Sequence, residues 1–137
     1  MAFNIKKKIA EIKALKRSLP VKVGNIAKNH YLKAFRDEGF TDARLDPWQK
    51  RKTRNRSDRR TSRRRAILVD TGALRRSIRV GSARRDRIEV GSYGIPYASF
   101  HNQEGGKMPQ RRFVGPSKVM NRQIRLKIRN EIKDILK

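Results

Sequence analysis

Two histidines, His30 and His101, are the side chains best suited to proton transfer near neutral pH, and the chain has no cysteine. Thiolate zinc sites, cysteine nucleophiles and disulfides are therefore excluded. His101 and Glu104 stand three apart, but no second histidine accompanies them and no H-E-x-x-H pattern is present, so a metalloprotease centre is not expected. Asp37 and Glu38 are neighbours that a helix would point to different sides, which is poor geometry for an acid/base pair or a shared metal. The serines lack a G-x-S-x-G elbow and the nine glycines include no phosphate-binding G-x-x-x-x-G-K-[ST] loop. The expectation is a protein that is not an enzyme, with no catalytic residues, cofactor or metal.

The other chemistry in the sequence is cationic. Lys50, Arg51, Lys52, Arg54, Arg56, Arg59, Arg60, Arg63, Arg64 and Arg65 make ten of sixteen consecutive residues basic, with Asp58 the one acid and no apolar side chain among them. Guanidinium forks match phosphate and carboxylate oxygens, so this block is the candidate contact for DNA or for an acidic partner. It has no aromatic residue to stack on bases and no zinc-finger or RNA-recognition signature, which argues against sequence-specific readout. A block of this composition buries too little to offset its ordering entropy, so a mobile loop or arm is expected over about 50–65.

The elements that must position these groups follow from apolar spacing. Ile5, Ile9, Ile12, Leu15 and Leu19 recur every three or four residues, which predicts an amphipathic helix ended by Pro20. A second helix is expected from Val21 to Glu38, its stripe formed by Val23, Ile26, Ala27, His30, Tyr31, Ala34 and Phe35, with Gly39 as its cap. His30 lies on that stripe and reads as a packed histidine. The segment from Phe40 to Gln49 reads as an ordered loop anchored by Trp48. Asp70 or Thr71 then caps a brief helix holding Leu74. Ile78 and Val80 alternate with Arg79, and Ile88 and Val90 alternate with Glu89, which predicts a β-hairpin across a polar connection from Gly81 to Arg87. A short helical segment over Tyr97 to Gln103, a short strand over Arg112 to Gly115 and an amphipathic helix from Ser117 to Lys137 complete the reading. The order predicts one α+β domain over 1–137, a small antiparallel sheet packed with amphipathic helices at both ends.

Several short motifs occur in a fixed order: F-R-D-E-G-F, P-W-Q-K-R-K-T-R, I-L-V-D-T-G-A-L-R-R-S-I, V-G-S with Y-A-S-F-H-N-Q-E-G-G, and M-P-Q-R-R-F-V-G-P-S. Across about 80 residues this series resembles the virion-morphogenesis (tail-completion) family of tailed bacteriophages and prophages, with Asn102 and Glu104 standing where that pattern has glutamine and an aromatic or apolar residue. The motif residues are Trp48, Thr71, Gly72, Leu74, Arg75, Ser77, Tyr97, Ala98, His101, Gly105, Pro109, Arg111 and Phe113. They read as scaffold rather than active site: Gly72 permits a tight entry into the brief helix, Leu74 faces the core, Ile78 starts the hairpin, and Trp48 packs its loop on the body. Tyr97, Phe100 and Phe113 are expected to bury one side of the sheet, and Pro109 and Pro116 to fix the loops beside it.

What the resemblance implies is a tail-terminator-like structural protein of the head-to-tail junction, at the proximal end of the tail, made in the host bacterial cytoplasm. Its partners would be its own copies in a ring of six-fold symmetry, the tail tube, and the head connector or neck proteins. DNA in the lumen would be touched without sequence preference. The competing reading is a sequence-nonspecific DNA- or RNA-binding protein.

Length and charge bear on both. The 137 residues carry 37 Lys and Arg against 12 Asp and Glu, a net charge of +25, with 36% hydrophobic residues. The sixteen-residue block holds +9 of this, leaving +16 over the other 121 residues. Self-repulsion at that density rivals or exceeds the roughly 5–15 kcal/mol net stability of an ordinary domain, so a neutralising partner is expected. Apolar runs of three or four residues are too short for a membrane helix, and the amino terminus does not read as a secretory signal. No membrane partner is expected.

Overall fold

The computed structural model describes residues 4–52, 65–103 and 106–137. In chain order its elements are α1 (Ile5–Asp37), β1 (Gly39–Thr41), β2 (Leu45–Pro47), α2 (Ala73–Arg76), β3 (Ile78–Ala83), β4 (Ile88–Ser92), α3 (Ala98–Asn102) and α4 (Lys118–Leu136). Among the described residues the strands form two separate antiparallel pairs, β1–β2 and β3–β4. The protein is α+β, with its two long helices first and last.

Where two helices were expected to meet at Pro20, a single helix of 33 residues runs through it. An interior proline removes one ladder donor and crowds the carbonyl four residues back, at a cost of about 3 kcal/mol. The middle of α1 is covered on two sides, and that burial outweighs the cost. The β3–β4 hairpin lies over Gly24, where an added Cβ would sit 3.1 Å from the Val80 methyls. On α4, Glu131 accepts from Lys22 Nζ at 2.8 Å, and the Ile135 carbonyl accepts from Lys8. These pairings run α1 and α4 antiparallel. Pro20 itself is buried, and so are Ala27, His30, Tyr31, Ala34 and Phe35 of the expected stripe.

The end of α1 also departs from expectation. The left-handed cap is Glu38, at φ 50°, with its N–H donating to the Ala34 carbonyl. Gly39 serves a different need: a Cβ there would lie 2.6 Å from the Asp46 carbonyl oxygen and 2.8 Å from Pro47 Cα. The glycine lets β2 fold back on β1, with Phe40 opposite Asp46, so the expected loop before Trp48 contains a small hairpin.

The expected β3–β4 hairpin forms, with Val80 opposite Val90, and β3 continues past a bulge at Gly81 to Ala83, further than the alternation suggested. The bulge position admits Tyr93, whose hydroxyl would clash with a Cβ at residue 81. The short strand expected over Arg112 to Gly115 is absent. Its backbone groups are taken instead by side chains. Asn102 Oδ1 accepts from Phe113 N at 2.9 Å and Val114 N at 3.0 Å, while Asn102 Nδ2 donates to the Val114 carbonyl at 3.0 Å. Trp48 Nε1 donates to the Arg112 carbonyl at 2.8 Å, and Tyr31 donates to that of Gly115 at 3.2 Å.

The core is aromatic at its centre. Phe35 lies tilted against Phe113 and meets Trp48 edge-on, with ring centroids 5.3 and 5.7 Å apart, the second a geometry that aromatic pairs prefer. Leu74, Ile78, Ile67, Phe40 and Met120 close around them. Ser117 caps α4 from inside the protein: its Oγ accepts from Met120 N at 3.1 Å and donates to the Thr41 carbonyl at 2.7 Å, joining the helix start to β1. Among the described residues, no helix is long and apolar enough to cross a membrane.

Candidate functional site

Six of the motif residues, from three separate stretches of chain, line one cavity of about 440 Å³: Thr71, Gly72, Leu74, Tyr97, His101 and Arg111. Arg51, Leu68, Asp70 and Ala73 complete the lining. The local folding that assembles it is legible residue by residue. Gly72, at φ 77°, turns the chain into α2, and Thr71 Oγ1 accepts from Ala73 N at 3.3 Å, so the capping oxygen is in place although the helix boundary is the glycine. α3 brings Tyr97 and His101 to one edge, their rings perpendicular with centroids 6.1 Å apart. The His101 carbonyl accepts from Arg111 N at 2.7 Å, which fixes the third stretch beside the second.

Arg111 is the unusual member. Its side chain is buried, with the residue 9% exposed, and its Nε and Nη2 both donate to the Gln49 carbonyl at 3.1 and 2.9 Å. Burial lowers its pKa from the ordinary arginine value, and the nearby Arg51 charge lowers it further. Arg51 in turn donates from Nη2 to the Ala66 carbonyl at 2.9 Å. Among the described residues no carboxylate forms an ion pair with either guanidinium. Asp70 is engaged by Arg65 instead. The His101 imidazole has its pKa lowered by burial first and by Arg111 second, and its buried Nδ1 has no hydrogen-bond partner among the described residues.

The remaining motif residues are placed as follows. Trp48, Ala98 and Phe113 are in the core. Ser77 Oγ donates to the Leu74 carbonyl at 2.6 Å and meets Ser92 Oγ at 2.6 Å, tying α2 to β4. Arg75 lines a second cavity of about 530 Å³ together with Ile26, His30 and Gln123. Pro109 is half-buried. Two aromatics differ from expectation: Tyr97 is 45% and Phe100 69% exposed, so of the three residues expected to cover the sheet only Phe113 is interior. A five-residue α3 has one inward face, and Ala98 occupies it.

His30 is buried, with Nε2 2.9 Å from the Thr41 carbonyl. In the neutral ring Nε2 must carry the proton to donate there. Its pKa is lowered, by burial above all, against the raising effect of that bond. Its surroundings are those of a packed histidine.

Of the basic block, Lys50 and Lys52 are exposed, Arg51 is half-buried and Arg65 is exposed. Arg54, Arg56, Arg59, Arg60, Arg63 and Arg64 lie outside the described residues, as does Gly105. The bond from Arg51 to Ala66 brings the two flanks of the block together at the cavity rim. No group of three or more His, Asp or Glu side chains able to hold a metal occurs among the described residues.

Asn102 and the Arg111–Gln49 contact were not anticipated from sequence. Neither has a periodic signal, because each joins a side chain to backbone eleven or more residues away. Apolar surface is also left open along the outer ends of both long helices: Ile5, Ile9 and Ile12 on α1, and Ile132 and Leu136 on α4. The Lys8–Ile135 bond sets these ends side by side. No family model, no curated protein and no solved structure matches this chain.

Proposed function

We propose that the chain is a structural protein of a tailed-phage virion that completes the tail and joins it to the head, acting through ring assembly and without catalysis. The observation that carries this reading is the adjoining apolar surface on the outer ends of α1 and α4. Ile5 is 61% exposed and Leu136 56%, although both lie on the apolar stripe of an amphipathic helix. Such stripes are normally buried, and contiguous exposed ones mark interaction sites. Copies of the chain are the first partners, with tail-tube and head-connector proteins the next. The ordered motif series supports the same assignment, and its location would be the head–tail junction.

Electron microscopy and size-exclusion chromatography of the purified protein test it. Rings are expected, and Ile9→Glu or Ile132→Glu should dissociate them while leaving the circular-dichroism spectrum unchanged. A net charge of +25 favours a second reading, nonspecific nucleic-acid binding. Monomers only, with tight duplex binding of steep salt dependence, would decide for it.

A further inference from the structure

Among the described residues, the cavity between α2 and α3 contains more positive charge than its own carboxylates neutralise. Among the described residues, Arg111 is buried and bonded only to the Gln49 carbonyl, Arg51 is half-buried and bonded to the carbonyls of Arg65 and Ala66, and Asp70 is turned to Arg65. Arg51, Arg65, Arg111 and Asp70 together leave +2 at the cavity and its rim. Burying an unpaired charge is costly, and a cation kept that way in a cleft is a mark of a binding site. Each guanidinium retains N–H donors beyond those given to carbonyls, because arginine has five.

We propose that this cavity binds a phosphate dianion between the guanidiniums of Arg51 and Arg111. The charge and oxygen count select the ligand. A carboxylate carries one charge and fits a single guanidinium fork, whereas a terminal phosphate carries about −1.5 to −2 and offers three oxygens, enough for two forks. Thr71 and Tyr97, which carry hydroxyls, line the same space, and His101 lies beside Arg111. A volume of about 440 Å³ admits the phosphate together with a small organic group attached to it, so inorganic phosphate and a phosphomonoester share this chemistry. An internal phosphodiester has one charge and two chain ends to accommodate. This site goes beyond the assembly role and does not depend on it.

The test is calorimetric titration of the full chain with inorganic phosphate at fixed low ionic strength, alongside NMR of the His101 ring. Expected are one saturable site per chain and a rise in the His101 pKa on binding, because the dianion offsets the Arg111 charge. Among the described residues, Arg51, Asp70, Tyr97 and Arg111 are the charged or titratable groups sharing the cavity with His101. Arg51→Gln should weaken binding at least about tenfold, the loss expected for a charge-assisted hydrogen bond. The exposed pair Arg84→Gln/Arg85→Gln removes twice the charge elsewhere and should change affinity less than about twofold, the mark of a local site over a field effect. A phosphomonoester binding like inorganic phosphate, with dimethyl phosphate and acetate much weaker, completes the expected pattern. Equal affinity for acetate or dimethyl phosphate would overturn the assignment. So would an Arg84/Arg85 effect as large as that of Arg51→Gln, or a His101 ring that does not respond.

Discussion

Asn102 shows how much one side chain carries where a strand fails to form. Its amide satisfies two N–H groups and one carbonyl of Phe113 and Val114, which would otherwise need a ladder partner next to the buried Phe113. Asn102→Ala orphans all three and should cost at least about 1–3 kcal/mol, the penalty for leaving part-buried polar groups unmade. Asn102→Asp keeps both acceptor contacts and loses the donor, so its urea midpoint should fall between wild type and alanine. An alanine variant of unchanged midpoint would mean that water replaces the amide at no cost. His30 carries a pH dependence of definite sign. Its folded pKa is lowered from 6.5 by burial, so the unfolded chain binds the proton more readily, and the stabilisation present above about pH 6.5 is lost as pH falls through the folded value. His101 is lowered in the same direction. Urea midpoints should therefore drop as pH falls below about 6.5, and His30→Gln should flatten part of that drop, with His101 contributing in the same direction.

At the scale of elements, tight approach and coverage decide what propensity leaves open. Gly39 packs against the Asp46 carbonyl with no room for a methyl, so Gly39→Ala should push β2 away and cost about 1–3 kcal/mol. Trp48 follows directly after β2, and its backbone N–H donates to the Glu38 carbonyl at 2.7 Å. Its fluorescence should shift to the red in that variant as the indole gains water; an unchanged spectrum and midpoint would show that the hairpin adjusts freely. The same coverage explains which elements were readable beforehand. Phe35, Leu74, Ile78 and Phe113 were expected inside and are, because three-and-four spacing, alternation and the order of motifs report which face is buried. The β1–β2 pair was not readable, since three-residue strands are too short to display alternation. The continuity of α1 through Pro20 was hidden for another reason: the proline's local cost is visible in the sequence, while the hairpin and α4 that cover it are not. Of the candidate site, six lining residues were legible as members of one motif series. Their convergence on a cavity was not, because it depends on the Arg111–His101 backbone contact between distant stretches.

For the whole molecule, charge and apolar exposure respond to salt in opposite ways, which makes ionic strength the sharpest single variable. The ion pairs of the described residues are mostly open to water, as in Arg87–Glu89 with side chains 74% and 42% exposed, and such pairs contribute about 0–1 kcal/mol each. Screening them loses little. The net +25 is not balanced by those pairs, and its self-repulsion acts over the whole chain. Raising sodium chloride from about 0.1 to 1 M shortens the Debye length from about 10 to about 3 Å. The thermal midpoint should rise over that range, and association through the isoleucine faces of α1 and α4 should strengthen with it, because like-charged copies repel less while apolar contacts persist. Nucleic-acid binding must move the other way, with a logarithmic slope of about −9 if ten phosphates are neutralised. Following thermal midpoint, oligomer size and duplex affinity across one salt series therefore separates the two readings. Larger assemblies and a higher midpoint at high salt support the ring. A falling midpoint, with assemblies present only when duplex is bound at low salt, would overturn it.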